Sequence, residues 1–124
     1  MTYRPNCGPT AMARILDCHV TEFEIRYKSD YELGHQWKGR SHLYRLIATA
    51  SDLGYKFKPE AAGGTLRTWI KLNAIEGRKY IMQIGGHFVS LVDGVIEDQS
   101  GVRDPRQLAR RRVLDVWFLA EVKS

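Results

Sequence analysis

Three side chains in this sequence have the types, and the chain order, of a thiol-based acyl-transfer site. Cys7 lies in the stretch Asn6-Cys7-Gly8-Pro9-Thr10, His87 follows Gly86, and Asp98 closes the run that begins at Gly86. A thiol attacks a carbonyl carbon well only as the thiolate, so it needs a base at hydrogen-bond distance. That base needs a third group to hold its ring in the productive tautomer. Cys7 as nucleophile, His87 as base and Asp98 as orienting carboxylate would fill those parts.

The local patterns say how each is carried. Asn6 is a favoured N-cap type, Pro9 is tolerated in a first helical turn, and Met12, Ile15 and Leu16 recur at helical spacing. A helix is therefore expected from about Cys7 to Asp17, with the thiol at its N-terminus. There the free backbone amides and the helix dipole favour a thiolate. The amide of Cys7 itself, with Asn6 beside it, could donate to an oxyanion. Around His87 the period changes to two. Tyr80 to Ile84, His87 to Val92 and Val95 to Gln99 read as strands, broken by Gly85-Gly86 and Asp93-Gly94. A two-residue turn at Asp93-Gly94 pairs Val92 with Val95, Leu91 with Ile96, Ser90 with Glu97 and Val89 with Asp98. Asp98 then lies diagonal to His87 on one face, within cross-strand reach. The apolar residues of that face, Val89, Leu91 and Ile96, are expected to pack against the first helix and bring Cys7 to the histidine.

The rest of the chain reads as a short helix and irregular chain over residues 22 to 40. A helix from Ser41 to about Leu53 follows, stopped by Gly54, and then a short strand at Tyr55 and Phe57. A helix capped near Thr65 carries Leu66, Trp69 and Ile70, and a basic helical turn at Pro105 to Arg111 leads into a last strand, Val113 to Val122. The order predicts an α+β fold with N-terminal helices packed on an antiparallel β-meander. With 124 residues, 44% hydrophobic and 27% charged, one globular domain over residues 1–124 is expected. No apolar run suggests a membrane span and no secretory signal is read at the N-terminus, so a cytoplasmic location is expected. Cys7 and Cys18 would sit about 16 Å apart along one helix, too far for a disulfide. No paired cysteine or histidine spacing points to a metal, and no cofactor motif is present.

At these residues the sequence resembles the papain-like cysteine peptidase superfamily. Asn6-Cys7-Gly8-Pro9-Thr10-Ala11 is similar to the nucleophile motif of the peptidases that cleave double-glycine leaders. The succession Gly64-Thr65-Leu66, Gly77-Arg78-Lys79-Tyr80, Gly86-His87, Asp93-Gly94-Val95-Ile96 and Arg112-Val113-Leu114-Asp115-Val116-Trp117 resembles small phage and bacterial members of that superfamily. The resemblance implies a papain-like fold, a cysteine peptidase or related hydrolase, and Cys7, His87 and Asp98 as its catalytic residues. It also implies a protein or peptide substrate and, for a phage-encoded member, the host cytoplasm or the virion as its place. Two features depart from the family pattern. Met1 stands where an oxyanion-hole glutamine is usual, leaving Tyr3, Asn6, Gln83 or Gln99 as substitutes. Asp104-Pro105 resembles the Asp-Pro that supplies the third residue in the leader peptidases, so Asp104 competes with Asp98. The missing glutamine also admits a different class of function, a non-catalytic interaction or virion protein on a peptidase-like scaffold that binds a host protein.

The formal charge of +5 is concentrated in one segment, where Arg103, Arg106, Arg110, Arg111 and Arg112 face only Asp104. A helical turn followed by a strand points these charges in several directions, which does not make a groove-fitting surface; Arg103 is expected near the edge of the site. Specific nucleic-acid binding is not expected. Titration with duplex and single-stranded DNA should show only non-specific affinity, of about 10⁻⁴–10⁻⁶ M near physiological salt. Sub-micromolar binding that survives at that salt would overturn this.

Overall fold

A computed structural model of the chain describes residues 7–34, 41–98 and 101–122. In chain order its elements are α1 (Cys7–Leu16), α2 (Val20–Asp30), α3 (Leu43–Asp52), β1 (Tyr55–Glu60), α4 (Leu66–Asn73), β2 (Lys79–Ile84), β3 (His87–Val92), β4 (Val95–Asp98), β5 (Gly101–Arg103), α5 (Pro105–Leu108) and β6 (Val113–Val122). The six strands form one antiparallel sheet in the order β1-β6-β2-β3-β4-β5. The expected α+β fold of helices on an antiparallel sheet is what the chain adopts. The meander holds from β2 to β5. β6 then crosses back to lie between β2 and β1, an order that local pattern does not contain.

Two hairpins fix the register of the central strands. Asp93 and Gly94 both have positive φ, 51° and 79°, the combination whose twist matches the flanking strands. The pairs Val92 with Val95, Leu91 with Ile96 and Ser90 with Glu97 follow. Gly85, at φ 60°, opens the other two-residue turn and pairs Ile84 with His87. β5 was not expected from the sequence. Its three residues pair Arg103 with Ile96 and Gly101 with Asp98.

The sheet is covered on both faces, and the two cores sort the strand residues by alternation. α1 is buried nearly all round, through Cys7, Gly8, Pro9, Ala11, Met12, Ala13, Ile15 and Leu16. It lies between Phe23 and Tyr27 of α2, Leu43, Leu46 and Ala50 of α3, and the sheet residues Ile81, Phe88 and Val92. On the other face, Leu66 and Trp69 of α4 and Leu108 of α5 cover Tyr80, Met82, Ile84, Val89, Leu91, Ile96, Val113 and Val116. This corrects the sequence-based packing: Val89, Leu91 and Ile96 meet α4 and α5, and α1 packs on the opposite side of the hairpin. Which face a two-sided apolar strand offers to a given helix is a property of the whole sandwich. An ion pair from Arg14 to Glu97, 2.7 Å long, ties α1 to β4 from that side. Among the described residues no helix is long and apolar enough to cross a membrane.

The second layer hangs on Trp69. Its ring is 1% exposed, meets Tyr80 edge-on with centroids 5.1 Å apart, and its indole N–H donates to the Ala61 carbonyl at 2.7 Å. Trp69→Ala should therefore cost about 3–5 kcal/mol in denaturant or thermal unfolding. Trp69→Phe, which keeps most of the apolar volume, should cost clearly less. Equal losses for the two would show that the hydrogen bond, not the burial, anchors this layer.

Candidate active site

Cys7 is the first residue of α1, so its backbone N–H is among those that find no partner inside the helix. The helix can press this end onto the sheet because the next residue is glycine. A Cβ at Gly8 would stand 2.8 Å from Leu46 Cδ1, 3.3 Å from Phe88 Cδ2, and closer still to Ser41 Oγ. The motif residue Gly8 thus has a packing reason beside its resemblance. Pro9 follows within the first turn, where its missing donor is harmless.

His87 is the first residue of β3 and half-buried. Although its strand neighbours on that side, Val89 and Leu91, belong to the far core, the ring stands at the strand's open end. There it meets the thiol arriving from the α1 side, and the Cys7 and His87 side chains are hydrogen-bonded. Its Nε2 lies 3.0 Å from Oδ2 of Asp98, which leaves Nδ1 for the sulfur. Asp98 is 5% exposed and its diagonal placement follows from the Asp93-Gly94 turn. The Arg103 guanidinium approaches the same carboxylate oxygen, Nε to Oδ2 3.7 Å, because β5 returns alongside β4 with Gly101 opposite Asp98.

A third contact to the thiol comes from the backbone. The amides of Val92 and Ser90 point toward β4, and by alternation so does that of Phe88. The described β3–β4 pairing ends at Ser90, so the Phe88 N–H lies beyond it and donates to Cys7 instead. Burial pushes the Cys7 thiol up. The hydrogen bond from His87, the amides of Phe88 and Gly8, and the imidazole charge together outweigh it and hold the thiol below its ordinary value. The thiolate hydrogen bond raises His87, and Asp98 adds to it against the opposing effect of burial. Both shifts favour the thiolate–imidazolium pair. Cys18 is the internal contrast: it too is a free cysteine, but burial and the nearby Glu22 and Asp17 carboxylates push its thiol up.

Asp104, the sequence's competing third residue, goes elsewhere. It is the N-cap of α5, where its Oδ1 accepts from the Arg106 N–H at 3.0 Å and its carboxylate pairs with the Arg106 guanidinium. A carboxylate at a helix N-cap is held by the orphan amides behind it, which here turns Asp104 toward its own helix. Asn6, with Met1, Tyr3 and Gln99, lies outside the described residues. Gln83 sits on β2 directly opposite Phe88. Among the described residues no three His, Cys, Asp or Glu side chains come together as metal ligands. Sequence reasoning missed the Phe88 amide, the contact of Arg103 with Asp98, and a groove of about 500 Å³ beside Gly86 and Phe88. The first two depend on where β4 and β5 end, and no residue type signals that. A larger cleft, about 780 Å³, opens between α4 and α5 among Arg67, Arg106 and Arg110; Cys7, His87 and Asp98 line neither space, but the smaller groove includes their chain neighbours Gly86 and Phe88.

The chain has the fold of a peptidase domain. It is similar to the crystal structure of the peptidase domain of Streptococcus ComA, a bifunctional ABC transporter involved in a quorum-sensing pathway. The TM-score is 0.65 with 13% sequence identity, over 98% of this chain and 96% of that one. No family model matches the sequence, and no curated protein matches it. At that identity the likeness is one of architecture, and the chemistry has to be argued from the side chains.

The two free cysteines give a direct measurement. Alkylation by iodoacetamide followed across pH should show Cys7 reacting with a midpoint below the ordinary thiol value and Cys18 with one above it. His87→Ala should move the Cys7 midpoint upward, because the group that favours the thiolate is gone. A Cys7 no more reactive than Cys18, and indifferent to His87, would contradict the activated-thiol geometry.

Proposed function

We propose that this protein is a thiol-dependent hydrolase or acyltransferase acting on peptide, isopeptide or related amide bonds. Cys7 serves as nucleophile, His87 as general base and acid, and Asp98 as the residue that orients the imidazole. One observation carries the reading: His87, whose Nε2 lies 3.0 Å from the buried Asp98 carboxylate, interacts with the Cys7 thiol at the start of a buried helix, lowering the thiol as the thiol raises the imidazole. The peptidase-domain fold supports it.

In this reading the Cys7 thiolate attacks the substrate carbonyl carbon and the carbonyl oxygen takes up the negative charge. The backbone N–H of Cys7, with Asn6, donates to that oxygen, which is worth most inside a water-poor site. The imidazolium of His87 gives its proton to the leaving nitrogen as the C–N bond breaks, leaving a thioester on Cys7. Neutral His87 then takes a proton from water, or from an acceptor amine, as it attacks the thioester; Cys7 is regenerated. Asp98 stays ionised throughout and stabilises the imidazolium. Arg103, its Nε 3.7 Å from the same Asp98 oxygen, adds a positive charge that favours the ionised carboxylate.

A second reading, a non-catalytic interaction protein on the same scaffold, draws on the thiol's cover: Cys7 is 7% exposed, as a purely structural cysteine would be. The two readings part on one experiment. Turnover of a diverse peptide and isopeptide substrate set should be lost in Cys7→Ala and fall by roughly 10²–10⁴-fold in His87→Ala, the usual worth of a positioned acid–base group. Asp98→Asn should lose activity mainly in kcat. Partner binding or biological function intact in Cys7→Ala, with no turnover by the unaltered protein, would favour the scaffold reading.

A further inference from the structure

The groove lined by Gly86 and Phe88, which flank His87, has a charge the proposed chemistry does not use. β6, β2 and β3 lie side by side, and Asp115, Gln83 and Phe88 occupy one rung across them, Asp115 opposite Gln83 and Gln83 opposite Phe88. Cross-strand partners share a face, here the face that also carries the start of α3. Tyr44, Trp117 and Ser41 line the groove, and Ser41 also lies against Gly8, the residue after Cys7. Its described lining contains no lysine or arginine. His42 stacks on Tyr44 with ring centroids 5.8 Å apart. In a chain of net charge +5, Asp115 is the single carboxylate lining this space among the described residues. It is half-buried, and among the described residues it makes no ion pair or hydrogen bond.

The distances along the rung are set by the sheet. Neighbouring strands lie about 4.8 Å apart, so Asp115 stands about 10 Å from Phe88, the residue whose amide touches the thiol. An extended peptide advances about 3.3 Å per residue, so one lying across the rung places a residue about three positions from its reacting carbonyl over Asp115. A carboxylate half-removed from water and lacking a partner gains from a cationic guest and repels an anionic one. The aromatic walls suit the aliphatic stem of such a side chain and can face its charge.

We propose that this groove is the substrate-recognition channel of the thiol site, and that Asp115 selects a peptide with a lysine or arginine about three residues from the bond attacked. The proposal rests on the thiol-hydrolase reading for its reaction, but the recognition can be measured without it. Fluorescent peptides carrying lysine, alanine or glutamate at successive positions would be titrated onto the Cys7→Ala protein at low and moderate salt. In parallel, peptidyl electrophiles of the same sequences would be used to label Cys7 in the unaltered protein. Lysine peptides should bind and label about tenfold better than alanine peptides, the order of a hydrogen bond to a charged partner, and glutamate peptides worse than either. Asp115→Asn should erase the ranking, and Asp115→Lys should invert it toward glutamate, which a misfolded variant could not do. Equal binding of all three peptides would overturn the Asp115 assignment, whatever the state of the thiol. A lysine preference that Asp115→Asn leaves intact would overturn it as well. A lysine preference in binding with no labelling of Cys7 would uphold the groove and count against the hydrolase reading instead.

Discussion

Everything about this site depends on one contact, the N-terminus of a buried helix pressed against the open end of a central strand. α1 is covered on almost every side by α2, α3 and the sheet, and a helix buried that fully has little freedom to slide or turn. Its first residue is the thiol. Burying a thiol that is to ionise is unfavourable in itself. Three donors meet it there: the His87 ring, the Phe88 amide and the Gly8 amide. The helix supplies the position and one donor, the Gly8 amide, and the strand end supplies the other two.

The same contact explains the small residues around it. Gly8 has no room for a side chain against Ser41, Leu46 and Phe88, and Ala11 and Ala13 continue the close approach along α1. Larger residues would lift the helix by a fraction of the hydrogen-bond reach that links Cys7 to His87. Farther out, Tyr27 accepts a hydrogen bond from the His42 backbone N–H at 3.4 Å. Arg45 stacks over Tyr31, 4.6 Å from its ring centre, so α2 holds the entry of α3 beside the groove. The packing of the helical layer and the shape of the groove it borders are thus one problem with one solution.

The electrostatic layout is uneven in a way that net charge conceals. The arginines of the segment from 103 to 112 divide between surfaces. Arg103 turns to the buried Asp98, while Arg106, paired with Asp104, and Arg110 line the far cleft with Arg67. The groove on the other face, lined by Gly86 and Phe88, keeps an acid, Asp115. A charge count describes solubility and long-range attraction, but local recognition is decided by which few charges share a surface.

The sequence by itself determined what short-range physics controls. Asp93-Gly94 imposed a turn with positive φ at both positions, and from that turn alone came the register that sets Asp98 diagonal to His87. The helical starts and stops at Thr65 and Gly54 were readable for the same reason: caps and left-handed glycines are properties of a few adjacent residues. Only the tertiary structure decided which core each face of the hairpin joins, because Val89, Leu91 and Ile96 are equally content against α1 or against α4 and α5. The insertion of β6 between β1 and β2, the short β5 that brings Arg103 to Asp98, and the rung that ends in Asp115 were also settled there. Each joins residues distant in the chain, and such pairings are fixed by the mutual burial of all the layers at once, which no local pattern encodes.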